Sequence, residues 1–131
     1  MIYLDANVII RLIEGTAAVR APLEARILAS KAPGAFLLTS RLSLLECRCK
    51  PLKAGDRGLL AIYDGFFSAA ELAVMEITPA IIDSATRLRA SHDFKSPDAI
   101  HLATAIEAGA SVFLSADKDL ARCGEIKVEL L

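Results

Sequence analysis

Short apolar runs alternate with longer segments of helical periodicity along the chain. The runs short enough to be strands lie at residues 2–4, 35–39, 72–77, 111–115 and 126–130. Between them, apolar side chains recur three and four positions apart, which is the spacing of one helix face. Strands that alternate with helices predict a mainly parallel sheet, because each crossover helix returns the chain to the same end of the sheet.

Capping residues and helix breakers predict where the helices begin and end. Helices are expected at residues 6–13, 17–30, 40–50, 59–70, 79–92 and 96–108. Asp5 can cap the first of them, and Thr78-Pro79 starts the fifth with proline in its first turn. In the sixth, Ser96 is the expected cap, followed by Pro97 and Asp98. The breakers expected to end helices are Gly15, the Pro33-Gly34 turn within residues 31–34, and Gly109.

The helix at residues 40–50 is expected to stop at Pro51, because proline lacks the N–H that continues a helix. Its expected buried stripe consists of Leu42, Leu44, Leu45 and Cys49. Residues 51–58 are expected to form a loop. The basic side chains in and beside this loop are Arg48, Lys50, Lys53 and Arg57. They could attract nucleic acid, although a solvated basic loop is the commoner explanation.

Composition narrows the class of protein without identifying a substrate. The chain has 131 residues, 54% of them hydrophobic, so one domain over residues 1–131 with a full core is expected. The net charge of -1 excludes a global basic footprint for nucleic acid. Three cysteines do not suggest a disulfide scaffold, and no apolar run reaches the length of a membrane span. A soluble cytoplasmic protein without membrane association is expected.

Acidic residues stand close to predicted strand ends and helix starts. Asp5 directly follows the first strand, and Asp98 lies in the first turn of its helix. Asp117 and Asp119 follow the fourth strand, and Glu46 lies about two turns into the helix after the second. Segments that follow parallel strands share one edge of the sheet, where sites form in α/β proteins. These carboxylates are therefore expected to converge there.

Each acid also has a structural explanation when it is considered alone. Asp5 could only cap a helix, Asp98 could only favour the helix dipole, and the remaining aspartates could be turn residues. Together, clustered carboxylates raise one another's pKa, so a fold keeps them close only with compensating cations. Oxygen ligands predict Mg²⁺ or Mn²⁺, which suit phosphodiester hydrolysis with one or two ions. His101 is interpreted as a packed or surface histidine and is assigned no role.

Four motifs carry a family resemblance, and they follow one another in the family's order. They are Tyr3-Leu-Asp5-Ala-Asn7-Val-Ile, Ser43-Leu-Leu-Glu46, Asp98-Ala-Ile-His-Leu-Ala-Thr-Ala105 and Phe113-Leu-Ser-Ala-Asp117-Lys-Asp119. They resemble a PIN domain and, more narrowly, a VapC-type toxin of a bacterial toxin–antitoxin pair. The resemblance implies a three-layer α/β/α sandwich with a central, mainly parallel sheet of four to five strands. It also implies a Mg²⁺- or Mn²⁺-dependent endoribonuclease.

The resemblance assigns roles to particular residues of this chain. The implied catalytic acids are Asp5, Glu46, Asp98 and Asp117, and those implied to bind the metal are Asp5, Asp98 and Asp117. Glu46 would bind metal as well or orient the attacking water. Asn7 and Ser115 match supporting polar positions, and Asp119 is a further acid that competes with Asp117 for the fourth place. Asp117 is favoured because it stands two residues after Ser115, at the strand end.

The resemblance also implies partners, namely an RNA substrate such as tRNA or rRNA, a cognate antitoxin and a second copy in a homodimer. Two other functions stay open. A phosphatase-like Mg²⁺-dependent hydrolase could use Asp5 as its nucleophile, although Asp5-Ala-Asn7 lacks the second acid of such motifs. A non-catalytic PIN-fold binding module is disfavoured by the retention of all four acids.

Overall fold

The computed structural model describes residues 1–30 and 35–131. Its strands are β1 (Ile2–Leu4), β2 (Leu37–Ser40), β3 (Leu72–Met75), β4 (Val112–Ser115) and β5 (Val128–Leu130). They form one parallel sheet in the order β3-β2-β1-β4-β5. The predicted parallel sheet is thus confirmed. The chain moves from β1 to β2 on one side and returns to β4 on the other, so the order of strands reverses beside β1.

Helices cover both faces of the sheet. In the described ranges they are α1 (Ala6–Glu14), α2 (Ala17–Ala29), α3 (Leu42–Ala54), α4 (Arg57–Phe67), α5 (Pro79–His92), α6 (Ser96–Glu107) and a short 3₁₀ helix (Lys118–Arg122). Within the same ranges, none of them combines the length and the apolar character needed to cross a bilayer. The sheet with helices on both of its faces forms the expected three-layer α/β/α arrangement.

Alternation along the strands explains the two separate cores. Tyr3 points into a cluster with side chains of α5 and α6, whereas Ile2 and Leu4 point into a cluster with side chains of α1 to α4. Phe113 alternates in the same way between Val112 and Leu114 on β4. Both faces of the central strands are covered, which accounts for their continuous apolar sequence.

The prediction that Pro51 stops α3 is wrong, because the helix runs through Pro51 to Ala54. Pro51 is buried with Cys47 and Ser43, four and eight residues earlier, so its ring packs in the interior and offsets the missing hydrogen bond. The helix ends at Gly55, whose φ of +68° is the left-handed conformation that favours glycine. Residues 51–58 are consequently mostly helical.

The predicted apolar stripe of α3 is also only partly correct. The buried residues of α3 are Ser43, Cys47 and Pro51, while Leu45 is 63% exposed and Cys49 is exposed as well. A helix buries the face that its neighbours cover, and hydrophobicity alone does not choose between two apolar faces. Glu46 lies beside the buried face of this helix.

Most of the predicted helix starts agree with the structure. The side chain of Asp5 caps α1, and Thr78 caps α5 with Pro79 at its first position. The prediction for α6 is off by one residue, because Lys95 is the N-cap and the Ser96 hydroxyl instead accepts from Arg89. The turn predicted at residues 31–34 lies outside the described residues.

Candidate active site

Asp5 lies at the carboxyl end of the central strand and is almost completely buried, with 4% of its surface exposed. Its Oδ1 accepts a hydrogen bond of 2.9 Å from the N–H of Ala6, at the start of α1. Its own N–H donates to the carbonyl of Leu114 on the neighbouring strand β4. Asp5 therefore stands between β1 and β4, where the strand order reverses and α/β folds place their sites.

Asn7 and Ser115 hold the second oxygen of this carboxylate. The Ser115 hydroxyl donates to Asp5 Oδ2 at 2.8 Å, and the Asn7 amide donates to the same oxygen at 3.1 Å. The amide also donates to Ser115 Oγ at 3.2 Å, while Asn7 Oδ1 accepts from the N–H of Ala116 at 3.0 Å. These bonds join the ends of β1 and β4.

Asp117 continues the same network, whereas Asp119 points elsewhere. The N–H of Asp117 donates to Ser115 Oγ at 3.0 Å, and its carboxylate caps the 3₁₀ helix by accepting from the N–H of Asp119. The exposed Asp119 carboxylate pairs with Arg122 at 2.9 Å, and this pairing lowers the pKa of Asp119. Asp117, unlike Asp119, is thus connected to Asp5 through Ser115.

The negative charges of the other acids affect Asp98. It stands in the first turn of α6 and is partly buried. Burial is the largest cause that raises its pKa, followed by the negative charges of Asp5 and Asp117 and, more weakly, that of Glu46. Carboxylates that raise one another's pKa repel in their ionised forms, so a cation between them would relieve the repulsion.

Glu46 enters from α3 and meets His101, which sequence reasoning left without a role. Glu46 Oε1 lies 2.5 Å from His101 Nε2, and its side chain is 33% exposed. His101 itself is 1% exposed, and the same Nε2 is 3.9 Å from Asp5 Oδ1. A histidine three residues after Asp98 was a usable signal, because that spacing keeps both within one turn of α6. The missing information was that the Glu46 side chain on α3 reaches this turn.

Asp5 is the most constrained ionisable group of the site. Burial raises its pKa, and the nearby His101, the Ser115 hydroxyl and the Ala6 N–H oppose that rise. The fold therefore supplies donors to a carboxylate that burial would otherwise protonate. Such partly compensated acids are typical of functional sites, although structural networks produce them as well.

The donor set suits a hard divalent cation in its chemistry, since four carboxylates offer oxygen ligands. Within residues 1–30 and 35–131, however, no three side chains of His, Cys, Asp or Glu are close enough to hold one metal ion. Glu46 and Asp98 are partly buried, whereas Asp5 is almost completely buried. The fit to a divalent cation therefore rests on two properties of these residues. They offer oxygen ligands, and a cation would relieve the repulsion between their carboxylates.

The basic residues in and beside the predicted loop all lie on helices. Arg48, Lys50 and Lys53 belong to α3, the helix that carries Glu46, and Arg57 is the first residue of α4. Arg48 lies 3.5 Å from the carboxylate of Asp64, and the others are exposed.

Comparison with known proteins gives the family. The family model described as the PIN domain matches residues 2–126. A comparison with curated proteins finds no significant match.

Several solved structures share the fold over nearly their whole length. A chain of Rickettsia felis VapBC2 bound to a DNA fragment from its promoter has a TM-score of 0.80 at 19% identity, covering 100% of this chain and 99% of that one. Salmonella typhimurium VapBC bound to DNA gives 0.77 at 20% identity, covering 98% and 96%. Mycobacterium tuberculosis VapC20, a Sarcin-Ricin loop cleaving toxin, gives 0.76 at 20% identity, covering 97% and 99%. With the family match spanning most of the chain, this protein belongs to the PIN domain family.

Proposed function

We propose that this protein is a Mg²⁺- or Mn²⁺-dependent endoribonuclease that hydrolyses RNA phosphodiester bonds as the toxin of a toxin–antitoxin pair. The observation that carries the proposal is the network in which Ser115 and Asn7 hold Asp5 and lead to Asp117. The negative charges of Asp5 and Asp117 both raise the pKa of Asp98. Acids gathered on a PIN fold support metal-dependent phosphodiester chemistry.

Each side chain has a defined task in this mechanism. Asp5, Asp98 and Asp117 would hold the cation, directly or through water. A bound divalent cation supplies positive charge to the phosphate and lowers the pKa of the attacking water. Ser115 and Asn7 keep Asp5 oriented through its Oδ2. Glu46 has its Oε1 engaged by His101, which leaves Oε2 to orient that water and accept its proton.

The choice of RNA over a small phosphate ester rests on charge and on similarity. The net charge of -1 requires a local attraction for a polyanion, and the basic side chains of α3 lie on the same helix as Glu46. One protein of the same fold, VapC20, is a Sarcin-Ricin loop cleaving toxin. Structured tRNA or rRNA is accordingly the proposed substrate class.

A protein partner and a homodimer are proposed on the basis of exposed apolar surface. Leu45, Leu52 and Ile62 on α3 and α4 are more than half exposed, at 63%, 68% and 58%. Large apolar side chains grouped on two adjacent helices are a common feature of protein interfaces. The VapBC structures of the same fold are toxin–antitoxin complexes. A cognate antitoxin and a second copy are the proposed occupants of such surfaces.

The decisive experiment tests cleavage of RNA by purified protein free of any antitoxin. The wild type, Asp5→Asn and Asp98→Asn are incubated with total RNA, with and without Mg²⁺ or Mn²⁺. Asp83→Asn, at an exposed aspartate of α5, is the matched control. We expect metal-dependent cleavage by the wild type and the control, and a loss of at least about 100-fold in the two site variants.

The possible outcomes separate the competing functions. Cleavage that persists in EDTA, or in both site variants, contradicts the metal–carboxylate mechanism. Hydrolysis of small phosphate esters without RNA cleavage favours the phosphatase-like function, and a folded protein inactive on both substrates favours a binding module. Expression in a bacterial host without antitoxin should arrest growth. Unchanged growth in the presence of soluble, active protein would contradict the toxin role.

A further inference from the structure

A buried histidine links the two helical layers at the candidate site. His101 on α6 contacts Glu46 on α3 through Nε2 at 2.5 Å and the Tyr3 hydroxyl on β1 through Nδ1 at 2.6 Å. The three residues come from three different elements, and His101 is only 1% exposed. Both ring nitrogens therefore have partners, so the ring has one defined orientation.

The chemistry of the partners determines which ring nitrogen carries a proton. The carboxylate of Glu46 only accepts hydrogen bonds, so Nε2 must be the donor in that contact. The phenol hydroxyl of Tyr3 lies 2.6 Å from Nδ1 and can donate its proton to that nitrogen. The Tyr3 ring stacks on Phe113 at 4.9 Å between centroids, which fixes the direction of the hydroxyl.

Glu46 needs such a contact because its own helix does not hold it. Its side chain is 33% exposed, and within residues 1–30 and 35–131 the only hydrogen bond to its carboxylate comes from His101. A long, partly exposed glutamate otherwise samples several rotamers, which costs entropy whenever it must adopt one. Asp5 differs in this respect, since three separate donors already orient it.

We propose that His101 is a positioning residue that holds Glu46 beside Asp5 through Nε2–H, with Tyr3 fixing the imidazole. This inference rests on the proposed function, because Glu46 there orients the attacking water. His101 itself contacts neither substrate nor water in that scheme and acts only through Glu46. Hydrogen-bond partners that orient site residues typically change activity by about 10–100-fold when they are removed.

Kinetics on the full chain test whether His101 acts through Glu46. His101→Leu should lower kcat for RNA cleavage by about 10–100-fold with little change in KM, because the substrate contacts stay intact. His101→Gln should recover most of that loss, since its amide can donate near the position of Nε2. Tyr3→Phe, which keeps the stacked ring, should fall between these two variants. The matched control is His92→Gln, because His92 also pairs with a glutamate, Glu125, at 2.8 Å.

A double variant distinguishes positioning from a general effect on folding. If His101 acts through Glu46, then His101→Leu combined with Glu46→Gln should be no slower than Glu46→Gln alone. Effects that multiply would overturn the proposal, as would full activity in His101→Leu. If His101→Leu does not fold, Tyr3→Phe and His101→Gln still decide the question. Equal losses of kcat in His101→Gln and His101→Leu would also contradict the proposal.

Nuclear magnetic resonance of the metal-free protein gives a readout that does not require RNA cleavage. With ¹⁵N-labelled histidine, Nε2 of His101 should carry a proton whose signal shifts in Glu46→Gln, while the His92 signals stay unchanged. An unprotonated Nε2, or no response to Glu46→Gln, would overturn the proposed contact. If the His101 signal shifts in Glu46→Gln but the wild type cleaves no RNA, the proposed function is refuted while the contact between His101 and Glu46 is established.

Discussion

The most direct test of the site's architecture is Ser115→Ala, because one buried oxygen makes three hydrogen bonds there. Ser115 is fully buried at the end of β4. Its hydroxyl donates to Asp5 at 2.8 Å and accepts from the Asn7 amide at 3.2 Å and from the Asp117 N–H at 3.0 Å. Removing it deletes these three bonds, while the bonds from Asp5 N–H to Leu114 and from Ala116 N–H to Asn7 still join the ends of β1 and β4.

The expected cost follows from the kinds of hydrogen bond that are lost. The bond to the Asp5 carboxylate is the strongest, because a hydrogen bond to an ionised group contributes about 1.5–3 kcal/mol. The Asn7 amide still donates to Asp5, and the partly buried Asp117 N–H can donate to water instead. Losing the bonds from these two groups to Ser115 therefore adds little to the cost. We expect the free energy of unfolding to fall by about 2–3 kcal/mol, which is less than the sum of three separate bonds.

Denaturant and thermal unfolding of the metal-free protein, followed by circular dichroism, measure this loss. A change of this size should lower Tm by roughly 6–12 °C for a chain of this length. Ser111→Ala is the matched control, because Ser111 immediately precedes the same strand, is exposed and donates one bond of 2.9 Å to the carbonyl of Met1. Its expected change is within about 0.5 kcal/mol.

Two results would refute the reasoning about Ser115. An unfolding free energy for Ser115→Ala within about 0.5 kcal/mol of the wild type would mean that its hydroxyl does not hold the strand ends together. Equal losses in Ser115→Ala and Ser111→Ala would mean that the position in the site does not matter. If the proposed function holds, Ser115→Ala should also slow RNA cleavage by about 10–100-fold, because Asp5 loses a positioning bond.

Three further predictions concern the charges and thiols of the molecule. Burial raises the pKa of Asp5, so the folded state binds a proton at this carboxylate more tightly than the unfolded chain does. The resulting stabilisation is present at low pH and is lost as the pH rises through the raised pKa. Unfolding measurements without metal should therefore show that Asp5→Asn gains stability relative to the wild type between about pH 4 and pH 7, and a constant difference would contradict this. In RNA cleavage assays, Asp117→Asn should lose at least about 100-fold and Asp119→Asn less than about threefold, since Asp119 pairs with Arg122; the reverse order would exchange their roles. Burial raises the pKa of Cys47 to about 12, so alkylation of the native protein followed by mass spectrometry should modify the exposed Cys49 and leave Cys47 free.

Local signals accounted for the elements and for the positions of the acids along them. A capping aspartate at residue 5 and the Thr78-Pro79 start were predictable because each cap bonds to backbone within three residues. Pro51 shows the limit of such rules, since burial of its ring outweighed one missing hydrogen bond. The exposed side of α3 was equally beyond local reasoning, because the neighbours of a helix decide which apolar face is covered.

The sequence by itself determined that strands and helices alternate and that acids follow the strands, because periodicity and capping are properties of neighbouring residues. Only the tertiary structure decided that β1 lies between β2 and β4, which brings residues 110 positions apart into contact at Asp5 and Ser115. It also decided the different contacts of the two neighbouring aspartates: the Asp117 N–H bonds to Ser115, whereas the Asp119 carboxylate pairs with Arg122. The contacts of His101 were also decided by the tertiary structure, because its partners Tyr3 and Glu46 lie on β1 and α3, and only folding brings them to α6. Packing between distant segments sets these contacts, and no local pattern encodes which segments will meet.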